Sequence, residues 1–374
     1  MAKLTTSVVI PTFNRAQMLK ECLAAIMAQT MQPFEILVVN DGSSDETQHV
    51  TASCAPSARV ITQSNQGKSA ALNTALEQVR GDCVWIIDDD DIVLPQALEI
   101  LTSLLERAPD AGFAYGRHDR FNDHLDSTRK FLGTGYWQHC APDTFLQATL
   151  EDLFVHQTGM LVRTSSYKRV GQFNVNLSRS QDYDMLLRLA RHFTPAISDE
   201  VVFWQRQHSG RRGPLSDRFD VVETETKWIK NDQEIFRRVR QDWPLELFLA
   251  TRRINNADEH RMALINRGVV LARRKLWREA LTDLDHASRQ SANPLSSDEL
   301  SSLRRIFASK YGCAELLTPG APRASILKFA STGHHSALTR AMARGLVWRI
   351  RESAVSGRIK HAAALSRLFW TLVR

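Results

Sequence analysis

The apolar positions of the first ninety residues alternate between two periods. Short β-branched runs, SVVI (7–10), EILVV (35–39), ARVIT (58–62) and CVWII (83–87), are separated by stretches with helical spacing. Leu19, Cys22, Leu23, Ile26 and Met27 fall on one helical face behind Asn14, a good N-cap residue. Ser44 is placed to cap a second helix, and KSAALNTALEQV (68–79) predicts a third. Strands that are apolar throughout and alternate with helices predict an α/β fold with a mainly parallel sheet covered on both faces. In such sheets ligands bind beyond the carboxyl ends of the strands. The polar segments PTFNR (11–15), NDGSSDE (40–46), QSNQGK (63–68) and DDDD (88–91) each follow one of the four runs. They are therefore predicted to meet at one edge.

Further along, the pattern is mixed. AGFAYG (111–116) and TGMLVR (158–163) predict strands, QDYDMLLRLARHF (181–193) a helix, and EVVFWQRQH (200–208) a strand running into a loop. Beyond about Pro214 strand signals fade. Residues 264–290 predict two short antiparallel helices with a Gly/Ala seam, like one tetratricopeptide unit without a second copy. SANPLSSDE (291–299) and LTPGAPRAS (317–325) read as linkers. The expected organisation is an α/β domain over 1–215, a helical region over 216–320 and a basic amphipathic tail over 321–374.

Composition narrows the class. A chain of 374 residues with 43% hydrophobic and 24% charged residues has material for more than one folding unit. Its 5 cysteines are widely spaced, with no CxxC pair, which argues against a disulfide framework or a zinc site and suits a reducing cytoplasm. The opening MAKLTTSVVIP lacks the apolar region of a signal peptide, and no run approaches the ~20 apolar residues of a membrane span. A soluble or peripheral protein is expected.

The formal charge of +7 is concentrated at the end of the sequence. From His334 onward there are eight basic residues against one acid, Glu352, so this stretch carries the whole excess. Leu365, Leu368, Phe369, Leu372 and Val373 form an apolar helical face there, flanked by Arg367 and Arg374. Such a helix suits either an anionic membrane surface, the inner face of the cytoplasmic membrane, or packing on the protein itself. No nucleic-acid module accompanies the charge, so no nucleic-acid partner is expected.

Asp88–Asp91 raise a chemical question, since four adjacent carboxylates at a strand end repel one another unless something positive sits among them. Mg2+ and Mn2+ are hard cations that take carboxylate and phosphate oxygens. The segments SVVIPTFNR, VVNDGSSDET, NQGKSAALNTAL and WIIDDDDIVLP, in that order, resemble a family 2 glycosyltransferase of the GT-A fold, a Rossmann-like nucleotide-diphospho-sugar transferase. The resemblance covers about residues 5 to 210.

The resemblance implies an inverting, metal-dependent enzyme that moves a sugar from a nucleotide-sugar donor, UDP-linked by expectation, to a saccharide or lipid-linked acceptor in cell-envelope or extracellular polysaccharide synthesis. It implies Asp90 as ligand of Mn2+ or Mg2+, with Asp88 or Asp89 touching the ribose or the ion and Asp91 in support. Pro11, Thr12, Asn14 and Arg15 line the donor pocket, Asp41 on the Gly42 turn reads the base, and Lys68 reaches the ribose or a phosphate. Asp182 is the expected base. The family has a Glu-Asp pair at this point, whereas here Gln181 precedes Asp182. His208, in RQHSGRRG (206–213), is expected at the diphosphate. A sugar-phosphate nucleotidyltransferase is the alternative within enzymes, disfavoured because PTFNR contains no glycine. A non-catalytic scaffold is disfavoured because the aspartates and Asp182 are retained.

Overall fold

The computed structural model describes residues 3–123, 129–207 and 221–374. The chain divides into two compact units, Met1–Lys227 and Trp228–Arg374. Contacts thus place the division beyond the expected boundary at 215, and they group the expected helical region with the tail.

The first unit alternates strand and helix as the periods require: β1 (Thr6–Thr12), α1 (Ala16–Met27), β2 (Glu35–Asn40), α2 (Thr47–Cys54), β3 (Arg59–Thr62), α3 (Lys68–Leu76) and β4 (Cys83–Ile86). Then come β5 (Ile92–Val93), α4 (Ala97–Arg107), β6 (Phe113–Asp123), β7 (Arg129–Thr134), α5 (Phe145–Glu151), β8 (Met160–Arg163), α6 (Thr164–Val170), α7 (Gln181–His192) and β9 (Pro195–Arg206). They form a 9-stranded sheet in the order β3-β2-β1-β4-β8-β6-β9-β5, with β7 beside β6. The first four strands are parallel, as expected. Beyond β4 the sheet becomes mixed: β8 runs antiparallel to both β4 and β6, and β9 parallel to β6.

The core explains this. Val8, Ile10, Trp85 and Ile87 are fully or almost fully buried beneath Leu19, Leu23 and Ile26 of α1 and Leu98 and Leu101 of α4. Apolar side chains on both faces of β1 and β4 require cover on both sides, and helices on either face supply it. Trp85, wholly buried, donates its indole N–H to the Thr158 carbonyl at 2.8 Å, so the central strand is anchored to the start of β8.

Two expected caps are corrected. α1 starts after Arg15, not Asn14, which has a φ of 52°. The Asn14 side chain instead accepts the Ser44 N–H at 2.8 Å, joining the first and second strand-end loops. α2 starts after Glu46 rather than Ser44, and Asp45 does the local work: its carboxylate accepts the N–H groups of Ala16 at 2.9 Å and Thr47 at 3.1 Å. An acid at a helix N-terminus satisfies donors left without helical partners.

The second unit is helical: the end of α8 (Val221–Asp242), α9 (Ala257–Arg273), α10 (Trp277–Ala287), α11 (Ser297–Arg304), α12 (Ala321–Ala330), α13 (Ser336–Arg344), α14 (Leu346–Val355) and α15 (Ile359–Val373). The antiparallel pair foreseen over 264–290 corresponds to α9 and α10, with Gly268 close against the Ala280 carbonyl and Leu284. The two expected linkers are corrected. Ser296 and Glu299 form a capping box that starts α11, and Glu299 pairs with the buried Arg261 at 2.7 Å. Residues 321–325 open α12, with Pro322 in its first turn. The apolar face of α15 is also settled. Leu365, Leu368 and Leu372 are buried within the unit, and Trp370 points outward at 60% exposure.

Candidate active site

The carboxyl ends of β1, β2 and β4 and the N-terminus of α3 bring the four polar segments together. Asp41 follows β2 at a turn where Gly42 has a φ of 81° and a Cβ would lie 2.9 Å from the Asn65 nitrogen, so glycine is required there. The Asp41 carboxylate is buried and fully engaged. It accepts from Gln63 Nε2 at 2.8 Å, Asn65 Nδ2 at 3.0 Å and the N–H groups of Gln66 at 3.0 Å and Gly67 at 2.8 Å. These donors hold in place the carboxylate that the resemblance assigns to the base. Four donors occupy the lone pairs, and Asp41 shapes the loop after β3 that leads into α3.

The question raised by the aspartates is answered by two side chains of the protein. Arg15 Nη1 lies 2.9 Å from Asp89 Oδ1 and 2.8 Å from Asp90 Oδ2, and Lys68 Nζ lies 2.5 Å from Asp88 Oδ1. Burial works against the charged guanidinium of Arg15, but Asp89 and Asp90 outweigh it and raise its pKa. Lys68 behaves alike: burial opposes its charge, while Asp88 and then Asp182 hold it, and the net shift is upward. Asp182 therefore stands within electrostatic reach of the aspartate cluster, through Lys68.

The remaining carboxylates of the cluster have different surroundings. Burial, partly offset by Arg15, pushes Asp89 up to about 6. Asp91 is also buried; burial first, then the charges of Asp90 and Asp88, push it well above the carboxylate range. Thr158 Oγ1 donates to Asp91 Oδ2 at 2.7 Å and accepts the Asp88 N–H at 3.2 Å, and the Arg206 N–H donates to Asp91 Oδ1 at 3.2 Å. Asp91 thus holds the loop. Beneath it Cys22 is buried, its thiol pushed upward by burial and by the neighbouring aspartates.

Arg206 was not singled out in the sequence. It is almost wholly buried at the end of β9. It donates to the Asp90 carbonyl at 2.9 Å and to Glu21 at 3.0 Å, pairs with Asp123, and lies over the Phe121 ring at 4.7 Å. The one available signal was its place at the head of RQHSGRRG. His208, with Arg211 and Arg212, lies outside the described residues.

Asp182 is the second residue of α7. Its Oδ1 accepts the Tyr183 N–H at 2.9 Å, and Ser180 before it has a φ of 57°. Asp184, on the same helix, is buried and paired with Arg188 at 2.9 Å, a packing role. Pro11 and Thr12 end β1 in buried positions under the cluster.

One oxygen from each of Asp88, Asp90 and Asp91 can be chosen within 4.8 Å of the others. An all-carboxylate donor set at this spacing fits a hard divalent cation. Asp88 and Asp90 are the members whose side chains are partly accessible, at 35% and 16%.

Comparison with known proteins gives the class. Residues 7–171 match the family described as glycosyl transferase family 2. An uncharacterized glycosyltransferase of Rickettsia conorii is 27% identical over 214 residues, covering 54% of this chain and 34% of that protein. Chondroitin synthase of Escherichia coli is 26% identical over 188 residues, covering 49% and 26%. The crystal structure of residues 1–349 of S. aureus TarS shares the fold, with a TM-score of 0.51 at 15% identity, covering 76% of this chain and 89% of that one. Residues 7–171 of the first unit thus match glycosyltransferase family 2, and the fold resembles that of GT-A glycosyltransferases. The matched stretch spans about a third of the length of the Rickettsia conorii relative and of one from Rickettsia felis. Asp182 lies beyond the residues matched by the family.

Proposed function

We propose that the chain is an inverting glycosyltransferase that moves a sugar from a nucleotide-sugar, with UDP as the nucleotide, to a hydroxyl of a saccharide or lipid-linked acceptor in envelope polysaccharide synthesis. The observation that carries this is the convergence of Asp88, Asp90, Lys68 and the charge of Asp182 at one end of a family 2 sheet. The likeness to a chondroitin synthase supports a saccharide acceptor.

The donor lies along the strand ends. Pro11, Thr12 and the loop that Asp41 holds form the nucleoside wall, with Asn14 fixing the first two loops to each other. Asp88 and Asp89 stand at the ribose end. Asp88 and Asp90 would hold Mn2+ or Mg2+. Such an ion neutralises the charge that grows on the leaving diphosphate. Lys68, at the N-terminus of α3, and Arg15 supply positive charge to the same diphosphate, with His208 assigned there from the sequence. Asp182 takes the proton of the acceptor hydroxyl as that oxygen attacks the anomeric carbon from the face opposite the leaving group. One displacement inverts the configuration.

Membrane contact is part of the proposal. With the leucine face of α15 buried, the surface offered to anionic headgroups is the outward one, where Trp348, Ile359 and Trp370 stand among Arg351, Lys360 and Arg367. No described helix is long and apolar enough to cross a membrane. A cytoplasmic protein held at the inner face of the membrane accommodates a lipid-linked acceptor.

The direct test is a panel of nucleotide-sugars assayed for release of nucleoside diphosphate, with Mn2+ and with chelator. Release from one donor that is abolished by chelator supports the reading. Absence of release from every donor, with acceptor oligosaccharides and lipid-linked saccharides supplied, overturns it.

A further inference from the structure

The aspartates proposed to hold a metal are already paired with cations of the chain, and those cations differ in freedom. Arg206 is locked: its side chain is 2% exposed, and it binds Glu21, Asp123 and the main chain of Asp90. Arg15 sits in the loop between β1 and α1 with its side chain 28% exposed. Its Nη1 lies between Asp89 Oδ1 and Asp90 Oδ2, at 2.9 and 2.8 Å. It therefore occupies an oxygen of the partly accessible carboxylate that the sequence and the donor set both assign to the metal.

We infer that Arg15 is a resident counter-cation that competes with the divalent ion for Asp90, so that metal and nucleoside diphosphate bind cooperatively. The inference rests on reading Asp88 and Asp90 as the metal pair. A divalent ion requires Asp90 oxygens at about 2.0–2.6 Å. A guanidinium hydrogen-bonded to the same oxygen is both a steric and an electrostatic competitor. In the protein alone, Asp89 and Asp90 are the best anionic partners Arg15 has. A bound diphosphate offers another: arginine's planar donor fork matches phosphate oxygens in paired hydrogen bonds. When the guanidinium turns to the diphosphate, Asp90 is released to the ion, and the ion in turn holds the diphosphate. Each ligand then raises the other's affinity by the same factor, as linkage requires. The arrangement also keeps the cluster neutralised before the donor arrives. Arg15 is a positioning residue in this account, acting on the metal through Asp90.

Manganese uptake read by the loss of the free Mn2+ electron paramagnetic resonance signal tests this on the full chain. Wild type, Arg15→Gln, Arg15→Met and Arg15→Lys are titrated with Mn2+ alone and with Mn2+ plus UDP, and thermal melts confirm that each is folded. Wild type is expected to take up Mn2+ weakly alone and more tightly with UDP. Arg15→Gln and Arg15→Met are expected to bind Mn2+ alone about tenfold more tightly than wild type, with the gain from UDP reduced by a similar factor. Arg15→Lys keeps the charge and is expected to stay near wild type. Unchanged or weaker Mn2+ uptake by the uncharged variants, with the UDP gain intact, overturns the inference while leaving the metal reading in place. Absence of uptake by every protein, with UDP shown by calorimetry to be bound, overturns the metal reading and the inference together.

Discussion

Lys68 Nζ lies 2.5 Å from Asp88 Oδ1, and the charge of Asp182 acts on the same ammonium group. A single lysine at the start of α3 therefore connects the aspartates after β4 with the proposed base on α7. Lys68→Met is expected to weaken UDP binding about tenfold by calorimetry. Both partners are about a third exposed, so the change in folding stability is held to within about 1 kcal/mol. A large fall in melting temperature with unchanged UDP affinity would assign Lys68 a structural role instead.

Thr158 fastens the aspartate loop through one hydroxyl, which donates to Asp91 and accepts from the Asp88 N–H. Thr158→Val keeps the shape and leaves a buried carboxyl without its donor, at a cost of about 1–3 kcal/mol. Thr158→Ser restores the hydroxyl and is expected to recover most of that loss. Urea unfolding of the three proteins checks the order wild type, Ser, Val. Equal stability of the Ser and Val variants would show that the methyl group, not the hydroxyl, matters.

His118 gives the first unit a dependence on pH. It is buried in β6, its ring stacked on Phe203 and edge-on to His156 at 4.5 Å. Burial, then the charges of His156 and Arg120, push it down to about 3. In the unfolded chain the imidazole takes its proton near the usual 6.5. The unfolded state therefore binds the proton first, and stability is full above about pH 6.5 and declines as pH falls toward 3. The contribution is of order 5 kcal/mol at its limit. His118→Gln has no such proton to take up, so its unfolding free energy should change less between pH 7 and pH 4.5. An unchanged slope in that variant would refute this role for His118.

Vesicle binding distinguishes the exposed tryptophans of α14 and α15 from the buried face of α15. Trp348 and Trp370 are 65% and 60% exposed. Substitution of both by alanine is expected to reduce sedimentation with phosphatidylglycerol vesicles severalfold while leaving the melting temperature within a degree or two. Substitution of the buried Leu368 by alanine, by contrast, should cost about 2–4 kcal/mol of stability. Equal vesicle binding by the wild type and the double tryptophan variant would remove membrane contact from the proposal.

The parts of this molecule that were legible in the sequence are those set by period and local chemistry. The four parallel strands and their helices follow from apolar runs that can be buried only under cover, and Gly42 follows from a turn that admits no Cβ. Polar partners set by the fold were not legible. Nothing in PTFNR says that Arg15 will bridge Asp89 and Asp90, 74 and 75 residues away. Nothing around Asp41 in the sequence says that the loop after β3 will supply four donors to its carboxylate. Thr158, just before β8, and Arg206, at the end of β9, come from far along the chain. The leucines of α15 had the right period but no sign of what would cover them, and the neighbouring helices do.

The account turns on Asp182 as the base, and one variant tests it most directly. Asp182→Asn keeps the size of the side chain and removes its capacity to accept a proton. Transfer rate to acceptor is measured alongside UDP affinity by calorimetry. The prediction is a fall of about 10²–10⁴-fold in rate with UDP affinity within a fewfold of wild type. Transfer at the wild-type rate by Asp182→Asn would contradict it.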